Sequence, residues 1–178
     1  IGTLTNRRIR DTIIGLSIFI GKNPDVKVHY DILGSGWNNE EEEIEKIIKD
    51  HKLENNVTLR GYVPHNNLKD YLSKADVGIS YIPVTPYYEY QPATKTFEYL
   101  MSGIPVIATG TYENKKVISN VNGVLITDNP ESFSEGLQYL FMHTSDYDSE
   151  IIKNSVSSYK WENIVDKLRK SLQEMEMV

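Results

Sequence analysis

Hydrophobic positions along this chain follow two periods that take turns. Ile9, Ile13, Leu16 and Ile20 recur every three to four residues and predict a helix over 7–20, with Gly21 as its stop. Val26, Val28, Tyr30 and Ile32 recur every second residue and predict a strand over 26–33. The same reading predicts helices over 39–51, 68–74, 112–119, 130–142, 150–159 and 161–175. It predicts strands over 57–59, 75–82, 105–108 and 123–126, and takes Ile1 to Leu4 as the end of an earlier strand. In 130–142, Phe133, Leu137, Leu140 and Phe141 are the expected inward residues.

The best-marked helix lies between Gln91 and Ala108. Pro92 suits its first position, Gly103 its stop, and Pro105 prevents its continuation into Val106-Ile107-Ala108. Ala93, Phe97, Leu100 and Met101 form its expected apolar face, while Lys95, Glu98 and Ser102 share another. Its first turn offers free N–H groups and the positive dipole end beside a Lys and a Glu, which suits a phosphate and a sugar hydroxyl.

Strands alternating with helices define an α/β fold: a Rossmann-like parallel sheet with helices on both faces, followed by C-terminal helices. Residues 1–145 form the expected domain and 146–178 a helical tail. Ligands of such sheets bind beyond the carboxyl ends of the strands. Gly34 to Trp37, Gly61 to Pro64, Pro83 to Lys95 and Thr109 to Glu113 fall there.

Composition narrows the function. The 178 residues carry 39% hydrophobic and 25% charged side chains, as a globular protein does. A net charge of −6 sets nucleic-acid binding aside. The absence of cysteine removes disulfides and thiolate metal sites and is compatible with a reducing cytoplasm. No apolar run reaches the roughly 18 residues of a membrane span. A start at Ile1 without Met reads as the interior of a longer protein.

Several smaller features bear on chemistry. Gly34-Ser35-Gly36 lacks the sixth-position glycine of a dinucleotide fingerprint and reads as a strand-to-helix turn, or as a place where a ligand approaches the backbone. Asp146-Tyr147-Asp148 has the form of a cation motif but lies between late helices, where capping is the expected role. Arg7, Arg8 and Arg10 crowd a helix start, against its dipole; a solvated basic face and a diphosphate contact are both open. The four histidines lack metal-ligand spacing.

Lys95-x-x-Glu98-Tyr99-Leu100-Met101-x-Gly103-x-Pro105-Val106-Ile107-Ala108 resembles the signature of the retaining family-4 glycosyltransferases of GT-B fold. Ile32 to Gly36, Asn56 to Pro64, Leu72 to Ile79, Asn122 to Ile126 and Tyr159 to Ile164 match other pieces of that family in order. The resemblance implies the C-terminal, donor-binding domain, with an acceptor-binding domain before residue 1. It implies that Lys95, Arg8 and Glu98 are the catalytic set: Glu98 on the donor ribose, Lys95 and one arginine of the Arg7/Arg8 pair on the diphosphate. The N–H groups of Ala93, Thr94 and Lys95 would add to that contact. Gly61, Tyr62 and Val63 would border the base, and Gly34 and Gly36 would admit the donor to the backbone.

The family often carries two glutamates with seven residues between them. Counting back from Glu98, the first falls on Tyr90, with Glu89 one residue away, so either the loop shifts so that Glu89 meets the donor sugar, or Lys95 and backbone serve there instead. The implied partners are a UDP- or GDP-sugar donor and, through the absent domain, a glycan or lipid-linked acceptor; no metal or other cofactor is expected. The implied setting is bacterial cell-surface polysaccharide synthesis in the cytoplasm, with the inner face of the membrane an option for the full-length protein. A nucleotide-sugar epimerase of the same fold and a non-catalytic interaction domain are the alternatives.

Overall fold

The computed structural model describes residues 1–176, so positions 177 and 178 of the expected tail lie outside it. Among the described residues, five short parallel strands and eight α-helices follow one another in the expected alternation, with three short 3-10 helices between them. The first strand, β1 (Tyr30–Leu33), pairs with β2 (Val57–Gly61). A second sheet has the order β3 (Gly78–Ser80), β4 (Val106–Thr109), β5 (Gly123–Ile126).

The expected single sheet is therefore two sheets. Ile1 to Leu4 lies against β1 without forming a strand; Gly2 donates to the Leu33 carbonyl at 3.0 Å and Leu4 to the Ser35 carbonyl at 3.1 Å. The first bond reaches only the far end of β1, and the second falls beyond it. Between the sheets lies a cavity of about 900 Å³ lined by Tyr30, Ile32, Val77, Ile79, Tyr99 and Phe133 among others.

Strands β1 and β3 are shorter than the hydrophobic pattern suggests, for local reasons. Val26 to His29 has no strand partner because β2 begins at Val57, opposite Tyr30; the Asn56 side-chain amide donates to the Val28 carbonyl instead. Beyond Ser80, a side chain replaces the ladder: the Thr109 hydroxyl accepts from the Ile82 N–H at 3.0 Å and donates to the Ile82 carbonyl at 2.7 Å. Strand β4 is buried on both faces. Val106 and Ala108 join one core cluster with Tyr99, Leu100, Ile152 and Val156. Ile107 joins another with Tyr81, Ile126, Phe133 and Leu140. A third cluster packs β1 and β2 against the first two helices through Ile13, Leu16, Phe19, Ile44 and Ile48.

Helix α1 (Ile9–Lys22) starts after Arg8 and runs through Gly21, because Asn23 closes it. The Asn23 backbone N–H donates to the Phe19 and Ile20 carbonyls, and its side-chain amide reaches Phe19 again at 2.9 Å. Helices α2 (Glu40–Asp50), α3 (Leu68–Leu72), α4 (Thr94–Met101), α5 (Tyr112–Val117) and α6 (Pro130–Met142) lie within the predicted segments. In α6 the inward set is Phe133, Ser134, Gly136 and Leu140; Phe141 is half-exposed, edge-on to Phe19. Helix α7 (Ser149–Ser155) buries Ile152 fully. Helix α8 (Trp161–Glu176) leaves Ile164, Val165, Leu168 and Leu172 exposed. No helix among the described residues is long and apolar enough to cross a membrane.

Candidate nucleotide-sugar site

Helix α4 begins two residues later than expected: Thr94 is its first residue, Ala93 is the N-cap, and Pro92 lies outside. Alanine offers no side-chain acceptor, and none caps this helix. Its buried face is also different from the expected one. Thr96, Tyr99 and Leu100 point inward, while Met101 is exposed and Phe97 packs on Tyr159 at 4.9 Å between ring centroids. Thr96 tolerates burial because its hydroxyl bonds Ser80 at 2.7 Å and Asn114 at 3.2 Å. The expected stop is present: Gly103 takes φ 79°, and Ile104 donates back to the Tyr99 carbonyl at 3.0 Å.

The open start of α4 faces a cavity of about 410 Å³ at the carboxyl edge of the sheets. Of the predicted site residues, Arg7, Tyr62, Val63, Ala93, Thr94, Lys95 and Glu98 line it. Lys95 and Glu98 thus share a face as expected. Lys95 is half-buried, with its ammonium 3.4 Å from the Tyr81 carbonyl. Burial, and then the nearby Arg7 guanidinium, lower its pKa to about 8. Ile1 reaches the same cavity, with its nitrogen 2.9 Å from the Tyr99 hydroxyl.

The two arginines differ. Arg8 is a left-handed N-cap with φ 52°, and its guanidinium pairs with Asp11 at 2.7 Å and Asp128 at 3.1 Å. It does not line the cavity. Asp11 also accepts from the buried Tyr81 hydroxyl at 3.2 Å, so Arg8 belongs to a closed network. Burial and the adjacent Asp11 carboxylate raise the Tyr81 phenol. Arg7 has no carboxylate within ion-pair distance among the described residues; its guanidinium carbon lies 4.3 Å from the centroid of the Tyr88 ring.

The remaining predicted positions stand outside the lining. Gly34 makes its close approach to the chain itself: a Cβ there would meet the Gly2 carbonyl. The Gly36 N–H donates to Glu41 at 2.9 Å. Gly61, with φ 67°, holds the left-handed turn that leads into Tyr62 and Val63. The Glu89 carboxylate accepts from the Tyr112 N–H at 2.9 Å, at the start of α5, and Tyr90 packs on Tyr112 at 5.0 Å. Asp148 caps α7 by accepting from Glu150 and Ile151, both at 2.9 Å, in keeping with the capping role expected of this motif. No group of three or more metal-ligating side chains lies together among the described residues.

The lining residues that the sequence did not name individually include His65, Tyr88 and Gln91. Tyr88 belongs to a tyrosine-rich loop at the right sheet edge, which is a weak pointer. His65 lacks any motif.

A cavity between strand ends and an uncapped helix start, with two cations and a carboxylate, is the anion-and-hydroxyl arrangement of an α/β nucleotide site. The profile of the family described as glycosyl transferases group 1 matches residues 4–143, and the chain belongs to that family. No curated protein matches the sequence closely. Solved structures share the fold. The pneumococcal O-GlcNAc transferase GtfA, in complex with UDP and GlcNAc, superposes with a TM-score of 0.77 at 19% identity, covering 97% of this chain and 35% of that one. Anabaena HepE, in complex with UDP and glucose, gives 0.75 at 16% identity, covering 97% and 47%. The C-terminal domain of the group 1 glycosyl transferase LpcC from Francisella tularensis gives 0.74 at 16% identity, covering 90% and 84%. The chain spans less than half the length of the first two. Its architecture is that of GT-B glycosyltransferase C-terminal domains.

Proposed function

We propose that this chain is the C-terminal, donor-binding half of a retaining family-4 glycosyltransferase that moves a hexose from a nucleoside-diphosphate sugar to an acceptor. The observation that carries the reading is the uncapped start of α4 opening on a cavity with Lys95, Arg7 and Glu98 around it. The diphosphate takes the place of a capping anion on the N–H groups of Thr94 and Lys95. Lys95 and Arg7 neutralise it, and Glu98 accepts from the ribose hydroxyls. When the sugar–phosphate bond breaks, negative charge grows on the leaving diphosphate, where these fixed donors already point. The protein's own cations supply this field, so the reading needs no metal. UDP is favoured over GDP because relatives of the same fold were solved with UDP.

The acceptor, a glycan or lipid-linked sugar, meets the donor across a cleft completed by a second domain of the longer enzyme. The isolated chain binds nucleotide weakly and transfers nothing. The proposed setting is cytoplasmic synthesis of bacterial cell-surface polysaccharide, with the full-length protein at the inner membrane face. A thermal-unfolding series with UDP, GDP, ADP and glucose tests the binding half. With a millimolar dissociation constant, ten millimolar UDP stabilises by about 1.4 kcal/mol, and glucose alone does nothing. No shift with any nucleotide overturns the reading. In the full-length enzyme, transfer with retention of the anomeric configuration is expected; free epimer without acceptor favours an epimerase.

One observation favours a second reading, an interaction domain that has lost its sugar contact. Tyr90 stands where the family carries its first glutamate, and Glu89 is engaged at α5. A stable protein partner without nucleotide binding distinguishes that case.

A further inference from the structure

We infer that Tyr88 is the positioning residue for Arg7, holding its guanidinium over an aromatic face so that its charge and N–H donors remain available to the diphosphate. The inference rests on the nucleotide-site reading above. Three observations carry it. The guanidinium carbon of Arg7 lies 4.3 Å from the Tyr88 ring centroid, and both residues line the same cavity. Arg8 and Arg10, in contrast, are turned to Asp11, and Arg8 also to Asp128. A carboxylate would have consumed donors of Arg7 and neutralised it; a ring holds the cation while leaving the edge of the guanidinium free.

Both partners are held by their backbones. Arg7 lies between Asn6 and Arg8, which have φ values of 57° and 52°. Two adjoining non-glycine residues in left-handed conformations are costly and fix the direction in which Arg7 leaves the chain. Its own N–H donates to the Leu4 carbonyl. Tyr88 sits in a turn in which Tyr88 and Glu89 both donate to the Thr85 carbonyl, at 3.0 and 2.9 Å. Gln91 donates back to Tyr88 at 3.2 Å, and Tyr87 packs edge-on against the Tyr88 ring, with centroids 4.8 Å apart. A fixed ring and a fixed cation need little ordering when the ligand arrives.

The experiment is an amide-shift NMR titration of the chain with UDP and, separately, with uridine. Tyr88→Leu is expected to weaken UDP about threefold, the size of an exposed cation–π contact. Uridine should be unaffected, and Tyr88→Phe should keep wild-type affinity, since the ring and not the hydroxyl acts. In an Arg7→Gln background, Tyr88→Leu should cost nothing further. Unchanged UDP affinity in Tyr88→Leu overturns the inference, as does an equal loss in the Arg7→Gln background or an equal loss for uridine. A wild-type chain that binds uridine but no more tightly UDP also overturns it. A wild-type chain that binds neither overturns the underlying site reading, a result distinct from all the others.

Discussion

Helices α4 and α5 both start at the carboxyl edge of the same sheet, and their first turns are finished in opposite ways. At α5 the Thr111 hydroxyl accepts from Asn114 at 3.2 Å, and the Glu89 carboxylate sits on the Tyr112 N–H at 2.9 Å. The chain supplies its own anion there. At α4 the N-cap is Ala93, no side chain caps it, and the surrounding charges include two cations, Lys95 and Arg7. An uncapped start of this kind sacrifices about 0.5–2 kcal/mol of stability. Helices α1, α2 and α3 also start without a side-chain cap, so what sets α4 apart is the cavity at its start with Lys95 and Arg7 beside it, which on the proposed reading a ligand completes.

The comparison can be broken from either side. The largest expected effect is at the open helix. Lys95→Met removes the cation beside the free N–H groups, and UDP affinity should fall about tenfold or more, the scale of a lost charged hydrogen bond. Titration by NMR or calorimetry measures it, and an unchanged affinity would put the diphosphate elsewhere. Next is Ala93→Asp, which gives α4 the kind of anion that α5 has. Unfolding should become harder by about 1 kcal/mol while UDP binding weakens. A variant both more stable and equally good at binding UDP would contradict the idea that cap and ligand compete.

Glu89→Gln works on the other helix. It should lower stability by about 0.5–1 kcal/mol through loss of the carboxylate at the α5 start, and leave UDP affinity alone. Weaker UDP-glucose binding at unchanged UDP affinity and unchanged stability would instead restore Glu89 to the sugar contact that its neighbourhood in sequence suggests.

A smaller effect comes from pH. Free Lys95 has its pKa lowered to about 8 from 10.5, by burial first and Arg7 second. A bound diphosphate raises it again, so binding above pH 8 requires proton uptake. UDP affinity should hold steady just below pH 8 and decline as pH rises through it, by less than tenfold per unit. The unliganded chain moves the other way. Its folded state disfavours the charged Lys95, and that penalty is relieved as pH rises from about 8 towards 10.5. Affinity that stays flat to pH 9.5 would show that Lys95 does not meet the anion.

The alternation of strands and helices was legible because it rests on hydrophobic period, and so was the stop of α4, because only a left-handed residue fits at Gly103. The buried face of α4 was not. Thr96 counts as polar in a sequence pattern, yet here its hydroxyl is satisfied by Ser80 and Asn114. Tyr99 is admitted by the missing side chain of Gly78, where a Cβ would strike its ring. Both facts depend on residues distant in the chain. The splitting of the sheet was hidden for a similar reason: an apolar run says that a strand is possible, and the neighbour decides how much of it pairs.

In the site, Lys95 and Glu98 were legible together because helical spacing fixes their common face. Arg7 and Arg8 were not separable, since Asp128, the residue that helps to engage Arg8, lies far along the chain. Glu89 and Tyr90 sit in a loop, where no period reports side-chain direction. Their roles at α5 appear only when Tyr112 is in place.

The central claim is that the open start of α4 holds the diphosphate. It is tested most directly by following backbone amides during a UDP titration, with α5 as the internal control. The amides of Thr94, Lys95 and Thr96 should shift and saturate at millimolar UDP, those of Tyr62 and Val63 should follow, and those of Tyr112 to Asn114 should stay where they are. Shifts of equal size at both helix starts, or none at Thr94 to Thr96, would contradict it.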